Sequence, residues 1–133
     1  MSAVRLHRPI VDVPKLPRGC CGPFALAALT GDPLSAFLPA GRKKSLRWMD
    51  ILLTLEARGV KYTRRYFAPE QRPTIQRALR PVWHGLLAID RHCMAFDGLL
   101  VLDTCCRRLT WVYDHPMRQR HVMFIVTIEG GAR

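Results

Sequence analysis

Apolar positions along this chain recur at helical spacing in the first half and gather in short strand-like runs in the second. From Cys21 to Leu29 the run Cys-Gly-Pro-Phe-Ala-Leu-Ala-Ala-Leu is almost wholly apolar and is closed by Thr30-Gly31. Pro23 suits a first helical turn, where its missing N–H is not needed. Gly31 suits the position just past a helix end. A helix that is apolar on every side is a buried one. A short helical turn is expected after Asp32-Pro33. Ser45 is the expected N-cap of a second helix running through Arg58 and ended by Gly59. Its Trp48, Ile51, Leu52 and Leu55 recur at helical spacing and predict a core-facing stripe. Pro73 to Arg80 reads as a short helix with Ile75 and Leu79 facing inward.

Strands dominate the remainder. Lys61–Phe67, Gly85–Ile89, His92–Phe96, Leu99–Asp103, Leu109–Tyr113 and Val122–Ile128 are the candidates, broken by Asp97-Gly98 and His115-Pro116. Helices followed by strands predict an α+β fold, with helices packed on a C-terminal antiparallel sheet. Residues 1–19 hold Pro9, Pro14 and Pro17 and read as an extended lead-in to a single domain spanning 1–133. That length is enough to bury one core.

Composition narrows the class. Apolar residues make up 49% and charged residues 23%, a globular balance. No run reaches the ~18 apolar residues of a membrane-spanning helix, so no membrane partner is expected. The first sixteen residues lack the apolar middle of a signal peptide. The five cysteines, Cys20, Cys21, Cys93, Cys105 and Cys106, are odd in number and include two vicinal pairs. That pattern argues for reduced thiols in a cytoplasmic compartment and against a disulfide framework. It also lacks the two-residue spacer of common zinc sites, although a zinc-bound module using the paired cysteines stays open. The 21 Lys and Arg against 10 Asp and Glu leave a net charge of +11. Such a surface attracts nucleic acid or acidic proteins. The charges are dispersed, however. The one tight run is Arg42-Lys43-Lys44, and no nucleic-acid recognition motif is present.

The hairpin carries the most chemical information. Asp97-Gly98 predicts a two-residue type I′ turn, and counting outward sets Phe96 opposite Leu99 and His92 opposite Asp103. Opposed residues have Cβ atoms ~5 Å apart on one face, so an imidazole–carboxylate hydrogen bond is expected. An oriented imidazole needs a nucleophile to act on. Cys21 is the candidate, because a helix start favours the thiolate and supplies backbone donors for an oxyanion. Cys20 is its competitor, and His121 is the fallback base if the register differs. His84 can line the cleft, His115 falls in a turn, and Trp48, Trp83 and Trp111 are expected in the core or cleft wall.

The stretches Cys21–Gly31 and His92–Thr104, in this order and on these elements, resemble the papain-like cysteine peptidases, most of all their compact bacterial and phage-encoded members. The resemblance covers roughly residues 18–31 and 86–104. It implies Cys21 as nucleophile, His92 as general base and acid, and Asp103 as the residue that orients His92. It also implies a protein or peptide substrate and no metal or organic cofactor. Papain-like enzymes commonly carry a Gln six positions before the nucleophile as an oxyanion donor; here that position is Lys15. Lys15, Arg18, Gly19 and Cys20 are therefore the candidate oxyanion and cleft residues. The implied activity is a cysteine hydrolase acting through a thioester. The alternative is a noncatalytic papain-like module that docks through its basic surface in a phage particle or another large assembly.

Overall fold

A computed structural model describes residues 4–17, 19–38 and 47–129. Ser45, Arg18 and the Arg42–Lys44 run lie outside the described residues. The observed architecture is α+β. Helix α1 (Cys21–Thr30) is followed by a 3₁₀ turn at Leu34–Phe37, α2 (Trp48–Ala57), β1 (Tyr62–Tyr66) and the single-turn helix α3 (Ile75–Ala78). Then come β2 (His84–Ile89), β3 (His92–Asp97), β4 (Leu100–Leu102), β5 (Thr110–Trp111) and β6 (Phe124–Ile128). The strands form one six-stranded sheet in the order β1-β6-β2-β3-β4-β5, with every pairing antiparallel.

The sheet is covered on both faces, as the near-continuous burial of β2 and β3 requires. Alternation sends Leu86, Ala88, Cys93, Ala95, Phe124 and Val126 to the face that carries α1 and α2. Leu87, Ile89, Met94, Phe96 and Ile125 go to the face closed by α3 and the segment around Val112 and Val122. Helix α1 is buried from Gly22 to Ala28, as its uniform apolar sequence predicts, and ends where the Gly31 N–H reaches Ala27 O at 2.8 Å. The lead-in clamps this end, with the His7 N–H on Ala28 O at 2.7 Å. In α2, Ile51, Leu52 and Leu55 are buried as expected, and Ile75 and Leu79 face inward. The described helix starts at Trp48 rather than at Ser45. There the Asp50 carboxylate accepts the Arg47 backbone N–H at 3.1 Å, satisfying one of the free donors of the first turn.

Two local features set the site. Gly85 on β2 approaches β6 so closely that a Cβ would stand 1.9 Å from the Val126 carbonyl oxygen. The β3–β4 turn also differs from expectation. Its central residues are Gly98 and Leu99, so Asp97 faces Leu100, Phe96 faces Val101 and Ala95 faces Leu102. Gly98 has φ +60° and Leu99 does not share the left-handed region. That is the pattern of a type II′ turn, with glycine first, not of type I′, which needs positive φ at both positions. Asp97 is held in the strand by accepting the Arg5 N–H at 2.7 Å. Every β3 residue therefore pairs two positions further along than expected. A shift of two preserves which face each side chain occupies.

Candidate active site

Cys21 is the first residue of α1, with Cys20 in the N-cap position. The first intrahelical bond is Phe24 N–H to Cys20 O, at 2.8 Å. The N–H groups of Cys21 and Gly22 precede it, and Pro23 has none to leave unsatisfied. The positive end of the helix therefore faces the thiol. His92 opens β3 after the tight Asp90-Arg91 connection, since Ile89 pairs with His92. Asp103 lies one residue past β4 and is 1% exposed. In the actual register it is a diagonal rather than a direct neighbour of His92, and His92 Nε2 still lies 2.6 Å from Asp103 Oδ2. With Nε2 engaged there, Nδ1 is the nitrogen left for Cys21.

The electrostatics separate the two charges of an ion pair. The Cys21 thiol is brought down to about 4 by the hydrogen bond from the Cys93 thiol, against the cost of burial, with His92 adding a second hydrogen bond and its charge. His92 is raised to about 9 by its hydrogen bond to Asp103 and then by Cys21. Burial pushes Asp103 up, but hydrogen bonds from His92, the Cys106 backbone N–H and His115 outweigh it, and its pKa is lowered. Cys20 is raised, by burial first and then by the Cys21 charge, which makes it the poorer nucleophile of the vicinal pair. At neutral pH the site holds a thiolate beside an imidazolium.

Asp103 is the hub of this network. Its Oδ1 accepts the Cys106 N–H at 3.1 Å, and both oxygens lie 3.2 Å from His115 Nε2. His115 is 1% exposed, and its Nδ1 accepts the Met117 N–H at 3.0 Å. An acceptor at Nδ1 requires the proton on Nε2, so His115 donates to Asp103. Asp103, Cys106 and His115 bring ligand-type atoms within 4.8 Å of one another. With Nε2 protonated, the cluster as it stands is a hydrogen-bond network centred on Asp103.

Two cavities meet at the thiol. One, of about 360 Å³, is walled by Trp48, Ile51, Ala88, Ile89 and Met123. The other, of about 270 Å³, includes Gly19, Cys20, Thr104, Arg91 and Arg107. Gly19, Cys21, Arg91 and His92 belong to both. Of the expected cleft residues, Gly19 and Cys20 are there, whereas Lys15 is exposed and lines neither cavity. His121 is exposed and bridges Thr74, away from the thiol. His84 pairs with Asp97 at the opposite end of β2, roughly 17 Å along the strand from Ile89. Trp48 forms cleft wall, but Trp83 and Trp111 are exposed, contrary to expectation. Sequence reasoning missed Cys93 and His115. Cys93 shares with Ala95 the strand face that packs on α1; His115 depends on how the 112–122 segment folds back. Family models, curated proteins and solved structures include no match to this chain. Among the described residues no helix is long and apolar enough to cross a membrane.

Proposed function

We propose that this chain is a papain-like cysteine hydrolase, with peptides as its substrate class. The observation that carries the reading is the Cys21–His92–Asp103 arrangement, whose ion pair is held by a 2.6 Å His92–Asp103 hydrogen bond. The Cys21 thiolate attacks a carbonyl carbon, and the C=O electron pair moves onto oxygen. That oxyanion faces the N–H groups at the start of α1. On collapse the C–N bond breaks, and His92 gives its Nδ1 proton to the leaving amine, leaving a thioester on Cys21. Neutral His92 then takes a proton from water, the hydroxyl adds to the thioester, and the acid is released as the thiolate reforms. Asp103 keeps the ring oriented throughout. Deamidation, transglutamination and acyl transfer use the same three groups with other acceptors. A working thiol beside four further free thiols suits the reducing cytoplasm of a bacterial host, with association with a phage particle as the alternative. The test is to trap the acyl-enzyme with activated peptide esters and weigh the protein. An adduct on Cys21, absent in Cys21→Ala, is expected. Ester turnover that survives Cys21→Ala would overturn the assignment.

One observation favours a docking role beside or instead of catalysis. On the other face of the sheet a larger cavity, of about 580 Å³, is lined by Arg64, Arg65, Arg77 and Arg80 and by no acidic residue. Such a surface suits a polyanionic partner. Binding of single-stranded nucleic acid or an acidic protein that weakens steeply with salt and persists in Cys21→Ala would support that reading.

A further inference from the structure

The smaller cavity at Cys21 is lined by two arginines beside His92 and by no carboxylate. Arg91 comes from the β2–β3 connection and Arg107 from the turn after Asp103, where its N–H is bonded to Asp103 O at 2.8 Å. Neither arginine forms an ion pair among the described residues. Both share a second property. Arg91 has φ +60° and Arg107 φ +55°, and among the described residues they are the non-glycine residues in the left-handed region. Arginine is a disfavoured residue there, and glycine would relieve the backbone. Two unrelated turns thus carry the same strain, and each contributes its arginine to the cavity that holds Cys21. Strained backbone of this kind gathers at functional sites. A guanidinium pairs with a carboxylate through two parallel N–H bonds. The volume, about 270 Å³, falls below the range of roughly 300–1,000 Å³ typical of a whole-ligand pocket, so it fits one group of a larger substrate.

We propose that Arg91 and Arg107 form an anion subsite beside Cys21, and that the substrate carries a carboxylate next to the carbonyl under attack. The proposal rests on the thiol hydrolase reading and names its substrate class. The carboxylate comes from an acidic side chain or from a chain terminus, and both present the same chemistry to the two arginines.

The probe is a pair of small electrophiles. Cys21 displaces iodide from either iodoacetate or iodoacetamide, forming an S–C bond, and the reagents differ in the negative charge. Rates at Cys21 are read by mass spectrometry at about pH 6.5, between the Cys21 and His92 values. Arg91→Gly, Arg107→Gly and the double variant remove the charge while fitting the positive φ, so folding is retained. The iodoacetate-to-iodoacetamide rate ratio is expected to fall roughly three- to tenfold for each arginine lost, with iodoacetamide alone little changed. A ratio in the double variant equal to that of the native chain overturns the subsite while leaving the fast Cys21 thiolate intact. If Cys21 reacts with neither reagent faster than a free thiol, the hydrolase reading falls and the subsite with it. Protection from iodoacetamide separates the sources, using an amidated peptide with an internal Glu and a neutral peptide with a free C-terminus. The protecting peptide identifies the carboxylate, and it should protect the double variant poorly. Protection by neither overturns the proposal.

Discussion

Replacing Cys93 by alanine removes the hydrogen bond that does most to lower the Cys21 pKa, and little else. Cys93 is buried on β3 against α1, and its thiol donates to the Cys21 thiolate. That donation and burial hold Cys93 itself well above its ordinary range, so it stays a protonated donor whenever Cys21 is ionised. A hydrogen bond to a charged group contributes ~1.5–3 kcal/mol, and a thiol is a weak donor, so the lower figure applies. At 1.36 kcal/mol per unit this corresponds to a rise of about one pKa unit, from about 4 to about 5 at Cys21. The assay is alkylation by iodoacetamide across pH, read at each cysteine by mass spectrometry. Cys93→Ser keeps a hydroxyl donor in nearly the same place and should hold the midpoint low. Loss of one sulfur from the core costs about 1 kcal/mol of stability, which circular dichroism would report as an intact fold with a modestly lower Tm. If folded Cys93→Ala titrates at Cys21 as the native chain does, the thiol is not part of the ion pair's support.

Further outcomes follow from the network and the sheet. His115→Asn can still accept the Met117 N–H but cannot reach Asp103, whereas Gln can extend a donor toward the carboxylate. Asn should leave Asp103 more basic and move the His92 titration upward by up to about one unit, while Gln preserves it; equal behaviour of the two variants would mean that His115 only fills space. Asp103 titrates below its ordinary 3.8 in the folded chain, so its contribution to stability is complete above that value and is lost as pH falls through the folded pKa. Asp103→Asn should therefore be less stable than the native chain at neutral pH, with a gap that narrows as pH falls below 3.8; a gap that stays constant or widens on acidification would contradict this sign. Gly85→Ala drives a Cβ into the Val126 carbonyl and should destabilise by roughly 3 kcal/mol or more, measured by urea unfolding; a change below 1 kcal/mol would mean that the β2–β6 approach is loose.

The element order was legible because the apolar runs are short, well separated and closed by Gly and Pro signals. An almost wholly apolar ten-residue helix and a set of short, mostly apolar runs can satisfy one core only as helices on a sheet. The pairing of His92 with Asp103 was also foreseen, although through the wrong turn. Asp97-Gly98 was expected to supply both turn residues, but Asp97 stays in the strand and Gly98-Leu99 makes the turn. The error survived because a two-residue shift leaves facing unchanged, and a one-residue slip would have separated the pair. His115 and Arg107 were out of reach for a different reason. Each is brought to the site by a turn whose path depends on backbone bonds to Asp103 or within the 112–118 segment, and hydrophobic patterning carries no record of those.

The central claim is that Cys21 and His92 form an ion pair at neutral pH, and the pH dependence of Cys21 alkylation in the native chain and in His92→Ala tests it most directly. In the native chain the reactivity should rise through about 4, as the Cys21 proton is lost, and change again near 9 as His92 gives up its proton. In His92→Ala the first midpoint should move upward and the second should vanish, with Cys20 slow in both proteins. A Cys21 that titrates near the ordinary thiol value of ~8.5 in the native chain, or identically in both, would contradict the account.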